Sequence, residues 1–189
     1  NVDAWTREIE GAGLEAIVVT ASGCGSVVKD YGHMLADDPA YAAKAARVSA
    51  LAKDISEVLE AADLPVLPPR GVKVAYQSAC SLQHGQQIKD LPARLLARAG
   101  YEVVTPAEAH LCCGSAGTYN VLQPKIAGQL KDRKVAALVA TGATVVASGN
   151  IGCITQLAGE AGLEVVHTVE LIDWAYGGPR PLGEGDRLA

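Results

Sequence analysis

Two hydrophobic periods take turns along this chain, and their order predicts its elements. Residues 4–12 read as the end of a short helix. Residues 15–20, with β-branched Ile17, Val18 and Val19 at the centre, read as a strand. The turn at residues 21–25 places Cys24 at that strand's carboxyl end, and a helix is expected over 26–35. From Pro39 onward Val48, Leu51, Ile55, Val58, Leu59 and Ala62 keep helical spacing, which predicts one long helix. Pro65, Pro68 and Pro69 then interrupt any regular element, because proline lacks the amide donor that helix and sheet interiors need. Past this break the alternation is regular, with strands predicted at 72–76, 101–105, 143–147 and 163–167. Between them, Ile88, Leu91, Leu95, Leu96 and Ala99 mark an amphipathic helix stopped by Gly100. Pro124 opens another, with Ile126, Leu130, Ala137 and Leu138 on one face. Helices over 154–161 and on through Trp174 complete the series.

Strands alternating with helices require right-handed crossovers and hence a parallel sheet. The predicted fold class is α/β, a Rossmann-like parallel sheet with helices on both faces. The proline break divides the chain into residues 1–64, a linker at 65–71, and a complete module at 72–189. An internal echo suggests that 1–64 is the C-terminal part of a preceding copy of that module. Val18-Val19-Thr20-Ala21-Ser22-Gly23-Cys24 resembles Val145-Val146-Ala147-Ser148-Gly149-Asn150, with Cys153 just beyond. Two registers fit, one pairing Cys24 with Asn150 and the other pairing it with Cys153. The chain opens on Asn1 in what reads as mid-domain sequence, so it is expected to be the C-terminal part of a longer protein.

Composition narrows the function classes. A hydrophobic content of 49% is enough for a proper core, and the net charge of −5 gives no electrostatic reason to expect nucleic acid or a membrane surface as partner. No apolar run reaches the length of a membrane span, so direct membrane insertion is not expected. Five cysteines without a secretory leader suit a reducing, cytoplasmic setting, where clustered thiols signal metal or redox chemistry.

Cys80, Cys112, Cys113 and Cys153 each follow a predicted strand. A parallel sheet puts those exits on one edge, where open α/β sheets bind ligands. Four thiolates meeting there suit an iron–sulfur cluster; zinc accepts the same donors, and buried inert thiols are the third reading. Cys24 has a similar position without evident co-ligands. His84 and His110 flank the cysteines and are read as structural rather than as ligands. The glycines of Gly114-Ser115-Ala116-Gly117 are expected to let the backbone pass close to the site, and an anion cradle is the alternative. Gly23-Cys24-Gly25 lacks the third glycine of a dinucleotide fingerprint. Asn150 is expected to cap or turn the chain, and Arg133-Lys134 and Lys29-Asp30 read as solvated helix faces.

Cys80, a long gap, Cys112-Cys113-Gly114, a second gap and then Asn150-Ile151-Gly152-Cys153 resemble the cysteine-rich CCG motif. That family includes heterodisulfide reductase subunits, lactate-utilisation proteins and the iron–sulfur subunits of glycolate oxidase. Gly23-Cys24-Gly25-Ser26-Val27-Val28-Lys29-Asp30-Tyr31-Gly32 and His110-Leu111-Cys112-Cys113-Gly114-Ser115-Ala116-Gly117-Thr118-Tyr119-Asn120 are most similar to the last branch. So are Gly149-Asn150-Ile151-Gly152-Cys153-Ile154-Thr155-Gln156 and His167-Thr168-Val169-Glu170-Leu171-Ile172-Asp173-Trp174. The resemblance implies an electron-transfer subunit of a glycolate (2-hydroxy acid) oxidase, with two CCG modules behind an N-terminal ferredoxin-like domain that this chain lacks. It implies FAD-binding partner subunits that take the hydride, and a peripheral place at the inner face of the membrane through partners. It also implies a 4Fe-4S cluster held by Cys80, Cys112, Cys113 and Cys153, with Cys24 left from the first module. A heterodisulfide or thiol–disulfide reductase and a zinc-stabilised docking module are the alternatives. The chain departs from the family pattern at Asn150, where a cysteine is expected, and at Tyr76-Gln77, where a histidine is expected.

Overall fold

A computed structural model describes residues 1–181; the predicted end of the second module, at residue 189, lies outside the described residues. The fold is α/β, with helices flanking two sheets that are both parallel. The first part runs α1 (Val2–Glu10), β1 (Ile17–Val19), α2 (Ser22–Met34), α3 (Ala42–Leu51), β2 (Ala52–Asp54) and α4 (Ile55–Ala61). The second runs β3 (Lys73–Gln77), a π-helical turn (Ser81–Gly85), α5 (Leu91–Arg98), β4 (Glu102–Val104), α6 (Tyr119–Leu122) and α7 (Pro124–Val139). It continues with β5 (Val145–Ser148), α8 (Ile151–Leu157), a 3₁₀ turn (Glu160–Gly162), β6 (Glu164–His167) and α9 (Thr168–Ala175). Among the described residues no helix is long and apolar enough to cross a membrane.

The four-stranded sheet has the order β4-β3-β5-β6, so the chain leaves β3 to one side and returns to its other side. Both sheet faces are buried, and the period of two divides the strand residues between them. Val74, Tyr76, Val145 and Ala147 pack with Leu95 and Leu96 of α5 and Leu171 and Ile172 of α9. Ala75 and Val146 face Leu138 of α7 and Leu157 of α8, and Cys113 and Cys153 are buried in this second cluster.

The long helix expected from Pro39 is instead α3, a three-residue strand and α4. Ala52, Lys53 and Asp54 pair in parallel with Ile17, Val18 and Val19. Asp54 ends the strand and restarts the helix. Its buried carboxylate accepts from the Ser56 amide (2.9 Å), while Glu57 reaches back to the Asp54 N–H (2.8 Å), a reciprocal capping box. The interruption is so short that helical spacing survives across it, which is why periodicity concealed it. The face expected for α7 also differs, since Ile126 is exposed and the buried positions are Ala127, Lys134 and Leu138.

The proline stretch lies fixed against the second sheet. The Leu67 amide donates to the Arg98 carbonyl and the Arg70 amide to the Gly100 carbonyl, both at 2.8 Å. The Arg70 guanidinium covers the rings of Trp174 (4.7 Å) and Tyr101 (5.6 Å). The start of α2 makes the other junction. Ser22 N donates to Gly149 O (3.1 Å), Ser22 Oγ meets Ser81 Oγ (2.7 Å), and Gln86 Nε2 donates to Ser22 O (2.9 Å). His167 caps α9 by accepting the Val169 amide at Nδ1, which leaves Nε2 to donate to the Thr20 carbonyl at 2.8 Å.

Lys29 of α2 pairs with Glu57 of α4 at 2.5 Å. Burial alone would raise the Glu57 carboxyl, but the hydrogen bonds from Lys29 and the Asp54 amide, together with the Lys29 charge, hold it below its ordinary 4.5. A carboxyl lowered by folding adds stability above its unfolded value and loses it as pH falls through the folded value. Lys29→Met is therefore expected to lower Tm at neutral pH and to shrink the Tm loss on acidification. Thermal scans from pH 7 to about pH 3 check this, and equal acid sensitivity in both proteins would count against the pair.

Candidate thiol site at the sheet edge

Three exits from the four-stranded sheet deliver the cysteines. Cys80 follows β3 and immediately precedes the π-helical turn, Cys112 and Cys113 lie in the loop after β4, and Cys153 follows β5. β3 and β5 flank the switch in strand order, where a crevice opens in parallel sheets. All five cysteines are free thiols. Cys80, Cys112, Cys113 and Cys153 come together as a chain, each within hydrogen-bonding reach of the next. Among the described residues, no group of three or more His, Cys, Asp or Glu side chains is arranged to hold a metal ion.

The contacts bias the four thiols in alternating directions. Cys112 is held far below the ordinary thiol range because it accepts from Cys113 and Cys80, with help from the Gly114 amide at 3.3 Å. Cys80 is pushed up by its contact with Cys112 and then by burial, and Cys113 by its contacts with Cys112 and Cys153 and then by burial. Cys153 is lowered by Cys113 and by the Asn150 amide, against its own burial. The contacts thus favour the thiolate at Cys112 and Cys153 and the thiol at Cys80 and Cys113.

Asn150 stands where helix α8 begins, as expected, but its side chain does not cap the helix. Its Nδ2 donates to Cys153 Sγ (3.5 Å), and its Oδ1 accepts from the Gly23 amide (3.4 Å), so it spans the junction between the two sheets. Cys153 and Cys24 are not loop residues; each is the third residue of its helix. This shared position fixes the register of the internal echo, pairing Gly23-Cys24 with Gly152-Cys153. The fold does not bring Cys24 to the four thiols. It is exposed and lines a separate, largely apolar groove of about 840 Å³ with Trp5, Val18, Val27 and Tyr31.

Neither flanking histidine joins the sulfurs. His84 and His110 are exposed, and His84 Nε2 meets the His110 carbonyl at 3.4 Å. The glycine turn does bring backbones together, against α7. Gly114 has φ +93°, and a Cβ there would lie 2.3 Å from the Ala127 carbonyl oxygen.

The reading of Arg133-Lys134 as a solvated face is half corrected. Arg133 does lie outside and grips the Glu108 carboxylate through Nε (2.8 Å) and Nη2. Lys134 is 2% exposed, and its Nζ donates to the carbonyls of Glu108 (3.1 Å) and Ala109 (3.3 Å) in the cysteine loop. Burial pushes its ammonium pKa down, while the nearby Cys113, Cys153 and Cys112 push it up. The signal was its place in the stripe Ala127, Lys134, Leu138, which a search for apolar residues passes over. Gln83 was also missed; its Nε2 donates to Ser78 O (3.2 Å) and Ala109 O (3.3 Å) and ties the π-helical turn to the same loop.

The cysteine-rich domain family, CCG, matches residues 74–158. The chain is 44% identical over 176 residues to the glycolate oxidase iron-sulfur subunit of Escherichia coli (strain K12), covering 93% of this chain and 43% of that protein. It is 34% identical over 154 residues to the probable glycolate oxidase iron-sulfur subunit of Bacillus subtilis (strain 168), covering 78% and 34%. Lactate utilization protein A of Bacillus licheniformis is 30% identical over 181 residues, covering 90% of this chain and 75% of that protein. The chain thus spans less than half the length of the two glycolate oxidase relatives.

Gly114→Ala tests the packing of the cysteine loop against α7. A left-handed φ combined with a contact on rigid backbone is expected to cost about 1–3 kcal/mol, lowering Tm by roughly 2–4 °C per kcal/mol in a chain of this size. Calorimetry decides it, and an unchanged Tm would show that the loop yields freely.

Proposed function

The chain belongs to the CCG cysteine-rich domain family, and on that footing we propose that it carries the thiolate site of an iron–sulfur electron-transfer subunit in a glycolate (2-hydroxy acid) oxidase. The observation that carries this reading is the meeting of Cys80, Cys112, Cys113 and Cys153 from three exits at one sheet edge. By donor type, though not by the present arrangement of the sulfurs, the set fits an iron–sulfur cluster, since soft thiolates are its usual ligands. In this reading residues 72–189 form the cluster module, residues 65–71 join it to the tail of a preceding one, and the four cysteines hold a 4Fe-4S cluster. When bound, that group supplies one-electron storage at accessible potentials.

The chain's own residues prepare the site. Cys112 and Cys153 are already biased toward the thiolate that a metal requires. The Gly114 amide and the Asn150 side chain donate to these two sulfurs, and such bonds favour the reduced form of thiolate-held iron. Leu82, Val146 and Leu157 pack beside Cys113 and Cys153 and exclude water from that side. Substrate hydride would be taken by FAD-binding partner subunits, with this subunit relaying electrons onward in the cytoplasm, at the inner membrane face through its partners. Cys24, in its separate groove, would be a remnant ligand of the preceding module.

Asn150 occupies the family's cysteine position but offers an amide, a poor substitute for thiolate on iron. Asn150→Ala is expected to keep most of the iron and sulfide, whereas Cys112→Ser and Cys153→Ala should lose both. Iron and sulfide assays, with visible spectra of protein purified without oxygen, read the three variants. Equal iron loss in Asn150→Ala would make Asn150 a ligand, and colourless wild-type protein holding zinc would overturn the iron reading.

A further inference from the structure

Lys134 is a fully buried lysine in the middle of α7, directly behind the loop that carries the cysteine pair. A charged amine without partners is costly inside a protein, so its retention there calls for compensation. Two backbone carbonyls accept from it, those of Glu108 and Ala109, and both belong to the approach to Cys112. The Glu108 carbonyl also accepts from the Leu111 amide (2.9 Å), so the ammonium holds a turn that is already closed on itself. Glu108 sits at φ +53°, a conformation that a non-glycine residue adopts at some cost and that needs support from outside the turn. Further compensation comes from its setting beside the thiols Cys113, Cys153 and Cys112 and the Glu108 carboxylate.

We propose that Lys134 is a positioning residue of the thiol site: its buried ammonium fixes the loop that delivers Cys112 and Cys113 and places a fixed positive charge behind the thiolates. The electrostatic half rests on the iron–sulfur reading; the positioning half does not. A thiolate-held cluster gains negative charge on reduction, and a buried cation next to it favours that state far more than a solvated one, because screening is weak there. Arg133, the adjacent surface cation, makes the natural comparison. It holds the same Glu108, but from the solvent side and through the carboxylate.

Lys134→Met removes both donor and charge, Lys134→Gln keeps a donor and removes the charge, and Arg133→Gln removes only the outer grip. In metal-free chain, hydrogen–deuterium exchange over residues 108–113 should speed up in Lys134→Met and stay close to wild type in Arg133→Gln. In cluster-loaded chain, a redox titration followed by electron paramagnetic resonance should give, for Lys134→Gln, at least a tenfold lower reduced-to-oxidised ratio at the wild-type midpoint. That is about 59 mV for one electron. Arg133→Gln should leave the ratio within twofold. If Lys134→Met fails to fold by circular dichroism, exchange in Lys134→Gln reads the loop instead, with unchanged protection expected while the donor is kept. Unchanged exchange in a folded Lys134→Met, faster exchange in Lys134→Gln after that failure, or an equal potential shift in Arg133→Gln and Lys134→Gln, would overturn the proposal. Wild-type protein without iron would overturn the cluster reading and the electrostatic half, leaving the exchange result to decide the positioning half.

Discussion

A parallel strand releases its chain at its carboxyl end, and in this fold that restriction governs the chemistry. β3 lies between β4 and β5, so three successive exits open on one edge around the point where the strand order reverses. Thiols separated by long stretches of sequence are brought within contact because the sheet leaves their loops no other side. The cores above and below the sheet serve the same end. Small residues such as Ala75 and Ala79 line the face beneath α7 and α8 and leave room for the sulfurs.

Polar anchors do what packing alone cannot. The cysteine loop is held from three directions, by Lys134 beneath, by Gln83 from the π-helical turn, and by the close approach of Gly114 to α7. The start of α2 is held in a similar way, through Ser22, Gln86 and the Asn150 side chain. Apart from the Ser22–Ser81 hydroxyl pair, each of these anchors ends on a backbone group, so the frame around the thiols is set largely by main chain.

The strands were legible because β-branched runs and turn residues announce them directly, and the parallel order follows from their alternation with helices. The cysteines were legible by residue type and by position after strands. Other features were hidden for identifiable reasons. The strand at Ala52–Asp54 contributes so few residues that the helical stripe runs on through Leu51 and Ile55. Lys134 was misplaced because a charged residue is taken as exposed unless a partner is visible, and its partners are carbonyls, which every residue has. The register of the internal echo could not be read from matching letters, since Ala-Ser-Gly repeats at an offset. Only the helix starts, at Ser22 and at Ile151, align Cys24 with Cys153.

The strand order also sets a timetable. β3 and β4 can pair as neighbours in sequence, but β5 must cross back over β3 after α6 and α7 have been threaded between. Closing so long a loop is entropically slow, and contacts of this separation form late in folding. Cys153 therefore reaches the other three sulfurs only through the long-range pairing of β5 with β3. During synthesis Cys80, Cys112 and Cys113 leave the ribosome before Cys153, so under the proposed cluster reading the donor set is complete only when β5 has paired with β3.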